Sequence, residues 1–200
     1  MGAMETAMID ASYAQVGKSL GLPTHAYLGA SDAKVVDAQA GLESGMTALI
    51  GALAGINMIS GGGMLDFLVC QSAEKLVVDA EAIAMAKRLL HGVQVRTETL
   101  ATAMFADIDF KADFLKQKIT RQLFAQEQHL PTAVIDRGSL RSWQAAGGLD
   151  TFARARARVA GLLSTYQRPL LVPEQEEELR RMVLHQAQEA GMRELPPLAE

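Results

Sequence analysis

Two short segments of the sequence carry residues that could do chemistry, and each follows a predicted strand. Asp32 and Lys34 come directly after residues 24–29, and Gly61–Gly63 follow residues 56–60. A carboxylate and an ammonium at a strand end can bind a polar substrate, but they can equally pair on the surface or cap a helix. The triple glycine can bring backbone N–H groups close to an anion or a flat cofactor face, or it can simply form a tight turn.

Two further polar side chains near these segments are candidates for binding. His25 lies in the first predicted strand, where a lone histidine is more often a hydrogen-bonded core residue than a catalyst. The alternation around it leaves open which face of the strand it occupies. Glu5 stands in a Gly-Ala-Met-Glu opening that looks like an interrupted strand-to-helix turn. Asp79 and Glu81, on a later helical segment, are expected to be solvated.

The elements that must position these residues alternate short extended runs with long helical patterns. In chain order, the pattern predicts a helix over 3–20, a strand over 24–29, a helix capped by Asp37, a strand over 56–60, a helix capped by Ser72 that runs to His91, irregular helices over 97–129, a strand or buried loop at 134–135, a helix over 144–166 broken at 147–148, and a helix over 174–190.

Strand, loop and helix in this order form the repeating unit of a (β/α)8 barrel, whose active site lies in the loops after the strands. About three such units are present, whereas a closed barrel needs eight. The sequence therefore predicts an α/β fold. Residues 1–138 are expected to form part of a TIM barrel, and residues 139–200 a helical C-terminal extension.

The helix that follows Asp37 shows one apolar face and an unusual number of glycines. Its apolar positions are Leu42, Met46, Leu49, Ile50 and Leu53, and its glycines are Gly41, Gly45, Gly51 and Gly55. Each glycine in a helix costs roughly 1 kcal/mol relative to alanine, so this many indicate close packing against a neighbour.

Composition excludes several classes of function. The net charge is −4, there is no basic patch, and aromatic residues make up only 5% of the chain, so nucleic-acid binding is not expected. The one cysteine, Cys70, excludes an intrachain disulfide and fits a reducing cytoplasm. The N-terminus does not resemble a signal peptide, and the apolar run over residues 46–59 is too short to span a bilayer. We therefore expect a cytoplasmic protein that does not contact membranes.

Motifs for common reaction types are absent from the sequence. It contains no Walker A, H-E-x-x-H, C-x-x-C or G-x-S-x-G pattern, and the spacing of its four histidines does not suit a metal site. No metal ion is expected, and no catalytic residue can be assigned.

Several segments, taken in order, resemble the trimethylamine:corrinoid methyltransferase family. They are Gly2-Ala3-Met4-Glu5, Leu22-Pro23 with Ser31-Asp32-Ala33-Lys34, Gly61-Gly62-Gly63-Met64-Leu65, Val77-Val78-Asp79-Ala80-Glu81, and Phe114-Leu115 through Thr120-Arg121, Leu130-Pro131 and Asp136-Arg137 to Trp143. No single motif is decisive, but their joint order is specific. Members of this family resemble TIM barrels longer than this sequence, which looks like their C-terminal part.

The resemblance implies a reaction in which a methyl group passes from a methylated amine to the Co(I) of a corrinoid. The corrinoid is carried by a separate partner protein, and this chain is expected to bind no cofactor tightly itself. The sequence contains no pyrrolysine, so a betaine-like quaternary amine is favoured over trimethylamine. A permethylated ammonium has no N–H to donate, and recognition would depend on aromatic faces and carboxylates. Tyr27 and Phe67 are the nearest aromatic residues.

Under this resemblance, two groups of residues are expected to form the site. The substrate-binding residues would be Glu5, His25, Tyr27 and Asp32, and the loop facing the corrinoid would contain Ser60, Gly61, Gly62 and Gly63. The loops over residues 29–34 and 60–66 would then lie side by side.

Two alternatives remain open at this point. The chain can be an inactive half-barrel fragment that self-associates through its open sheet edges and uncovered helices. It can also be an unrelated barrel enzyme that binds phosphate at the glycine loop. Since parallel sheets are normally covered on both faces, a homo-oligomer is expected.

Overall fold

The computed structural model describes residues 1–95, 97–100, 102–109, 111, 113–168, 170–192 and 195, and the chain divides into two compact units, Met1–Ser164 and Thr165–Glu200. The helices are α1 (Met4–Ser19), α2 (Ala38–Leu53), α3 (Ala73–His91), α4 (Thr97–Leu100), α5 (Thr102–Asp107), α6 (Lys118–Glu127), α7 (Leu140–Ala145), α8 (Thr151–Ser164) and α9 (Pro173–Glu189). The strands are β1 (His25–Ala26), β2 (Met58–Ile59), β3 (Met64–Leu65) and β4 (Cys70–Gln71). Within the described ranges, every helix is too short or too polar to cross a lipid bilayer.

The strands β1 and β2 form a parallel pair, and backbone hydrogen bonds between the two segments continue past the last paired residues. His25 lies opposite Met58 and Ala26 opposite Ile59. The N–H of Ser60 donates to the carbonyl of Ala26 at 3.1 Å. This parallel pair, with helices before, between and after its strands, is consistent with the α/β class, although the described residues are mostly helical. The partial barrel remains a prediction.

A second strand pair was not predicted from the sequence. The strands β3 and β4 are antiparallel and enclose a 3-10 turn over Asp66–Leu68. All three turn residues have positive φ, at 47°, 56° and 71°, a region that side chains other than glycine rarely adopt. This turn therefore holds a strained backbone that begins at the last residue of the second predicted loop, residues 60–66.

The core of the first unit is built from small residues. Ala7 and Ala14 of α1 are fully buried against Ala26, Leu28 and Ile56 around the strand pair. Small side chains let the helices approach the strands closely, so that little volume is needed to fill the space between them.

The apolar face predicted for α2 is wrong at three of its five positions, whereas Ile50 does pack against the core. Leu42, Met46 and Leu53 are 64%, 50% and 62% exposed. The buried residues of α2 are instead Ala40, Ser44, Thr47, Ala48 and Gly51. The physical reasons are close approach to the strands at Gly51 and hydrogen bonds that Ser44 and Thr47 accept from Lys75 and Gly29.

Gly51 shows how close that approach is. A Cβ at this position would lie 2.8 Å from both Ile59 Cδ1 and Leu28 Cδ1. Close packing is thus confirmed at Gly51, whereas a Cβ at Gly41 or Gly45 would meet nothing within 4 Å.

Helix α3 carries a buried carboxylate that fixes a remote loop. Glu81 is 5% exposed and accepts hydrogen bonds from the N–H of Thr132 at 3.2 Å and from its hydroxyl at 2.5 Å. The expectation that Glu81 is solvated is therefore wrong. The sequence does not show its burial because Thr132, which hydrogen-bonds its carboxylate, lies 51 residues along the chain. Val134, 1% exposed, follows as a buried loop, and Arg154 Nε of α8 donates to its carbonyl at 2.9 Å.

The second unit contains α9. Pro173 begins the helix, where its missing N–H costs nothing, and Glu174 and Glu176 lie in the first turn, where the helix dipole favours carboxylates. No residue of α9 is buried.

Candidate functional site

The two loops predicted to form the site lie side by side. The N–H of Gly61 donates to the carbonyl of Leu28 at 3.0 Å, and the N–H of Ser31 donates to the carbonyl of Met64 at 3.1 Å. A third hydrogen bond joins the N–H of Asp66 to the carbonyl of Ala33, also at 3.1 Å. The segments after β1 and β2 therefore stay in contact along their length, as the sequence predicted.

His25, Tyr27 and Ser60 form a cluster on the face of the strand pair that the helices leave open. The Nε2 of His25 lies 2.6 Å from the hydroxyl oxygen of Ser60. The rings of His25 and Tyr27 meet edge to face, with centroids 5.0 Å apart and planes at 79°. Between them, Ala26 points the other way into the core.

The exposure of this cluster corrects the expectation for His25. The side chain is hydrogen-bonded, as a core histidine would be, but it is exposed and not part of the core. Tyr27 is 47% exposed. Two ring side chains and a hydroxyl are therefore available to a ligand on this face.

Asp32 is held in place by both its backbone and its side chain. Its N–H donates to the carboxylate of Glu43 at 2.8 Å, and its own carboxylate accepts hydrogen bonds from the N–H of Gly2 at 3.0 Å and from the Met1 amino group at 3.0 Å. Glu43 also accepts the hydroxyl proton of Ser31, at 2.7 Å. These contacts fix the loop after β1 rather than leaving Asp32 free.

Hydrogen bonding determines the pKa values of these two carboxylates. Partial burial alone would raise the pKa of Glu43, but the hydrogen bonds from Ser31, Gln39 and the Asp32 N–H outweigh it and hold the pKa below 4.5. For Asp32, burial likewise acts to raise the pKa, but the Gly2 N–H and the Met1 amino group outweigh it and hold the pKa below 3.8. Both groups are therefore anionic at neutral pH.

Lys34 contacts both its own loop and the segment that follows β2. Its Nζ lies 3.0 Å from the Asp66 carboxylate, donates to the Asp32 carbonyl at 2.6 Å, and sits 4.5 Å from the centre of the Phe67 ring. One face of Phe67 thus already carries a cation. Of the two aromatic residues expected to receive an ammonium, Tyr27 is the one whose ring has no such partner among the described residues.

The local structure requires glycine at two of the three positions of the glycine turn, Gly61–Gly63. A Cβ at Gly61 would overlap the carbonyl oxygen of Leu28 and lie 2.8 Å from the N of Ala30. Gly63 has φ +83°, and its Cβ would lie 3.0 Å from Leu76 Cβ. At Gly62, a Cβ would make ordinary contacts at 3.7 Å.

The backbone amides of the glycine turn are largely occupied. Those of Gly61, Gly63 and Met64 donate to Leu28 O, the Asp79 carboxylate and Gly61 O, at 3.0, 2.7 and 3.2 Å. Few N–H groups are therefore left to bind an anion, which favours the tight-turn interpretation over a phosphate cradle.

Asp79 is a functional candidate that sequence reasoning misplaced. It is 2% exposed, not solvated, because Lys75 and Gly63 satisfy it inside the protein. Lys75 Nζ lies 2.5 Å from Asp79 Oδ2 and donates to Ser44 Oγ at 2.7 Å. Burial raises the pKa of Asp79 above 3.8 against the lowering effect of these hydrogen bonds. The only signal in the sequence is the four-residue spacing of an oppositely charged pair.

The remaining predicted residue, Glu5, lies apart from these contacts. It stands exposed in the first turn of α1, and within the described residues no hydrogen bond joins its carboxylate to the other candidates. The described part of the chain also holds no cluster of metal-ligating side chains.

Comparison with known proteins gives one consistent family. The model of the trimethylamine methyltransferase (MTTB) family matches residues 1–191. Trimethylamine methyltransferase MttB1 of Methanosarcina mazei is 39% identical over 83% of this chain and 33% of its own length. Glycine betaine methyltransferase of Desulfitobacterium hafniense is 32% identical over 96% of this chain and 40% of its own length. The chain thus spans well under half of the curated relatives it matches.

Proposed function

Since this chain belongs to the trimethylamine methyltransferase family, we propose that it takes part in moving a methyl group from a methylated amine to the Co(I) of a corrinoid carried by a separate protein. In this proposal, β1 and β2 are neighbouring strands of a TIM barrel, of which residues 1–138 form a part. The observation that carries the proposal is the open cluster of His25, Tyr27 and Ser60 on the strand face opposite the helices.

The substrate we propose is a betaine-like quaternary amine. Such a cation offers no N–H, so it is recognised by the face of an aromatic ring, at about 0.5–2 kcal/mol depending on how far it is desolvated. Tyr27 offers an exposed ring for this contact, whereas Phe67 already has the Lys34 ammonium against its face. Asp32 supplies negative charge and, through its contacts with Gly2 and Glu43, orients the loop beside the substrate.

The transfer itself requires no nucleophile from the protein. The electron pair of Co(I) would form the new bond to the methyl carbon as the carbon–nitrogen bond breaks, and the nitrogen would keep the electrons of that bond and leave as an uncharged tertiary amine group. No proton has to move. This agrees with the absence of an assignable catalytic residue, and it leaves the chain to bind and orient the amine and to meet the corrinoid protein near Ser60 and the glycine turn.

The experiment uses a chimaera in which this chain replaces the matching 40% of the D. hafniense glycine betaine methyltransferase. With a reduced corrinoid protein, we expect glycine betaine to cause loss of the Co(I) absorbance. Trimethylamine should do so more slowly. The proposal fails if neither amine causes any loss.

A matched pair of variants tests the role of Tyr27. Replacing Tyr27 by leucine should lower kcat/KM for the amine about tenfold, the equivalent of about 1.4 kcal/mol of cation–π attraction. Tyr13, 40% exposed on α1, provides the control, since Tyr13→Leu should leave kcat/KM unchanged. Equal effects at the two positions would remove Tyr27 from the proposed site.

A further inference from the structure

The glycine turn is tied to α3 at two points. The carbonyl of Gly63 accepts the N–H of Ser72, the N-cap residue of α3, at 3.0 Å. The N–H of Gly63 donates to Asp79 Oδ2 at 2.7 Å, two turns further along the same helix. Because Gly63 is itself buried, its N–H would be left without a partner if Asp79 were removed.

One carboxylate oxygen therefore joins three parts of the fold. Asp79 Oδ2 receives Gly63 from the turn and Lys75 from the preceding turn of α3, while Lys75 also donates to Ser44 of α2. Lys75 is 0% exposed, so its ammonium depends entirely on these two acceptors and has no solvent alternative.

Stability alone does not explain this arrangement. A buried ion pair is often no more stabilising than a pair of apolar side chains of similar volume, because both charges lose their hydration. What apolar side chains cannot supply is the directional acceptor for Gly63. A pair of charges that fixes one geometry is a recognised use of such buried groups.

We propose that Asp79 is a positioning residue for the glycine turn and that Lys75 and Ser44 orient its carboxylate. Together these residues hold the Gly61–Gly63 backbone in the position that methyl transfer requires. The last part of this inference rests on the proposed function. The first part concerns the turn alone.

Two double variants of the 200-residue chain separate the hydrogen bond from the charge. Lys75→Met with Asp79→Asn removes the ion pair but keeps an acceptor for Gly63. Lys75→Met with Asp79→Leu removes both. We expect hydrogen exchange at the Gly63 amide, followed by NMR, to be at least tenfold faster in the leucine variant than in the asparagine variant. Equal exchange in the two overturns the inference.

The contribution to methyl transfer is read from the same substitutions in the chimaera. The leucine variant should lose at least tenfold in kcat with KM for the amine unchanged, and the asparagine variant should keep its kcat. Equal kcat values overturn the role in methyl transfer. If the unsubstituted chimaera transfers no methyl group, the proposed function fails, and exchange at Gly63 still decides whether Asp79 positions the turn.

A milder substitution covers the case in which a double variant does not fold. Ser44→Ala removes one hydroxyl from the partners of Lys75 and should shift the Gly63 amide resonance. An unchanged Gly63 resonance in a folded Ser44→Ala chain overturns the inference.

Discussion

Removing Lys75 should expose how strongly the buried pair depends on both of its charges. The Lys75 and Asp79 side chains are only 1% and 3% exposed, so Lys75→Met leaves a carboxyl group inside the protein without its cation. Breaking such a pair typically costs about 3–5 kcal/mol of unfolding free energy. The carboxyl can also escape by taking up a proton. The pKa of this carboxyl group in the unfolded chain is 3.8, so keeping it protonated in the folded protein at pH 7 costs about 4 kcal/mol. Protonation therefore limits the loss of unfolding free energy to about that value.

The pH dependence follows from the sign of the Asp79 shift. Burial raises its pKa in the folded protein, and loss of Lys75 removes a contact that lowers it. A raised pKa means that the folded chain binds the proton more tightly, so stability falls as pH rises from 3.8 through the folded value. The deficit of Lys75→Met relative to the unsubstituted chain should therefore be largest near neutral pH and shrink as the pH approaches 4.

Urea unfolding at several pH values measures this deficit. The single tryptophan, Trp143, lies in the first unit and reports its unfolding by fluorescence. Lys34→Met is the matched control, because the Lys34–Asp66 pair is 63% and 39% exposed and should contribute no more than about 1 kcal/mol. The reasoning is refuted if Lys75→Met costs no more than this control at pH 7, or if its deficit grows on acidification.

Three other perturbations have defined outcomes. Glu43→Gln should cost about 1 kcal/mol of unfolding free energy at pH 7, because hydrogen bonds hold the pKa of Glu43 low; urea titration should show this loss vanishing as pH falls from 4.5 through the folded pKa. Gly61→Ala should cost about 1–3 kcal/mol, since its Cβ overlaps Leu28 O, whereas Gly62→Ala should stay within about 0.5 kcal/mol in the same assay. The chain should sediment as a dimer or larger species, and Ile9→Asp, at a position 66% exposed on α1, should reduce that association.

Each of these three predictions can be refuted by a specific result. A Glu43→Gln deficit that persists at low pH would mean that packing, and not charge, is the cause. Equal stability of the Gly61→Ala and Gly62→Ala chains would contradict the close approach of the two loops. A monodisperse monomer would contradict the exposed apolar faces as association surfaces.

Local signals in the sequence predicted the beginnings of α2 and α3 correctly, whereas the helix predicted from residue 144 is in fact α7, which begins at Leu140, and α8, which begins at Thr151. The carboxylate of Asp37 accepts the N–H of Ala40 at 3.1 Å, and the hydroxyl of Ser72 accepts the N–H of Lys75 at 3.1 Å. Such a cap involves one side chain and a backbone group three residues later, so its signature is contained in the sequence itself.

The sequence could not show which side of α2 is buried. Thr47 and Ser44 lie inside because they find partners far along the chain: Gly29, whose N–H donates to Thr47 at 2.9 Å, and Lys75. Leu42 and Met46, which a helical pattern assigns to the core, remain exposed. The periodicity of apolar residues does not show that a polar residue is buried when its hydrogen-bond partner lies far along the chain. The burial of Asp79, which accepts a hydrogen bond from Gly63, was missed for the same reason.

The alternation along β1 and the two residues after it separates residues that hold the fold together from residues on the open face of the strand pair. Ala26 and Leu28 are buried against α1 and α2, and replacing them would change stability first. His25 and Tyr27 point the other way and contact each other, while His25 also meets Ser60 and interacts electrostatically with Asp10 of α1. Because the amides of the glycine turn are largely occupied while His25 and Tyr27 are exposed, we propose the open face of the strand pair, rather than the glycine turn, for recognition of the amine.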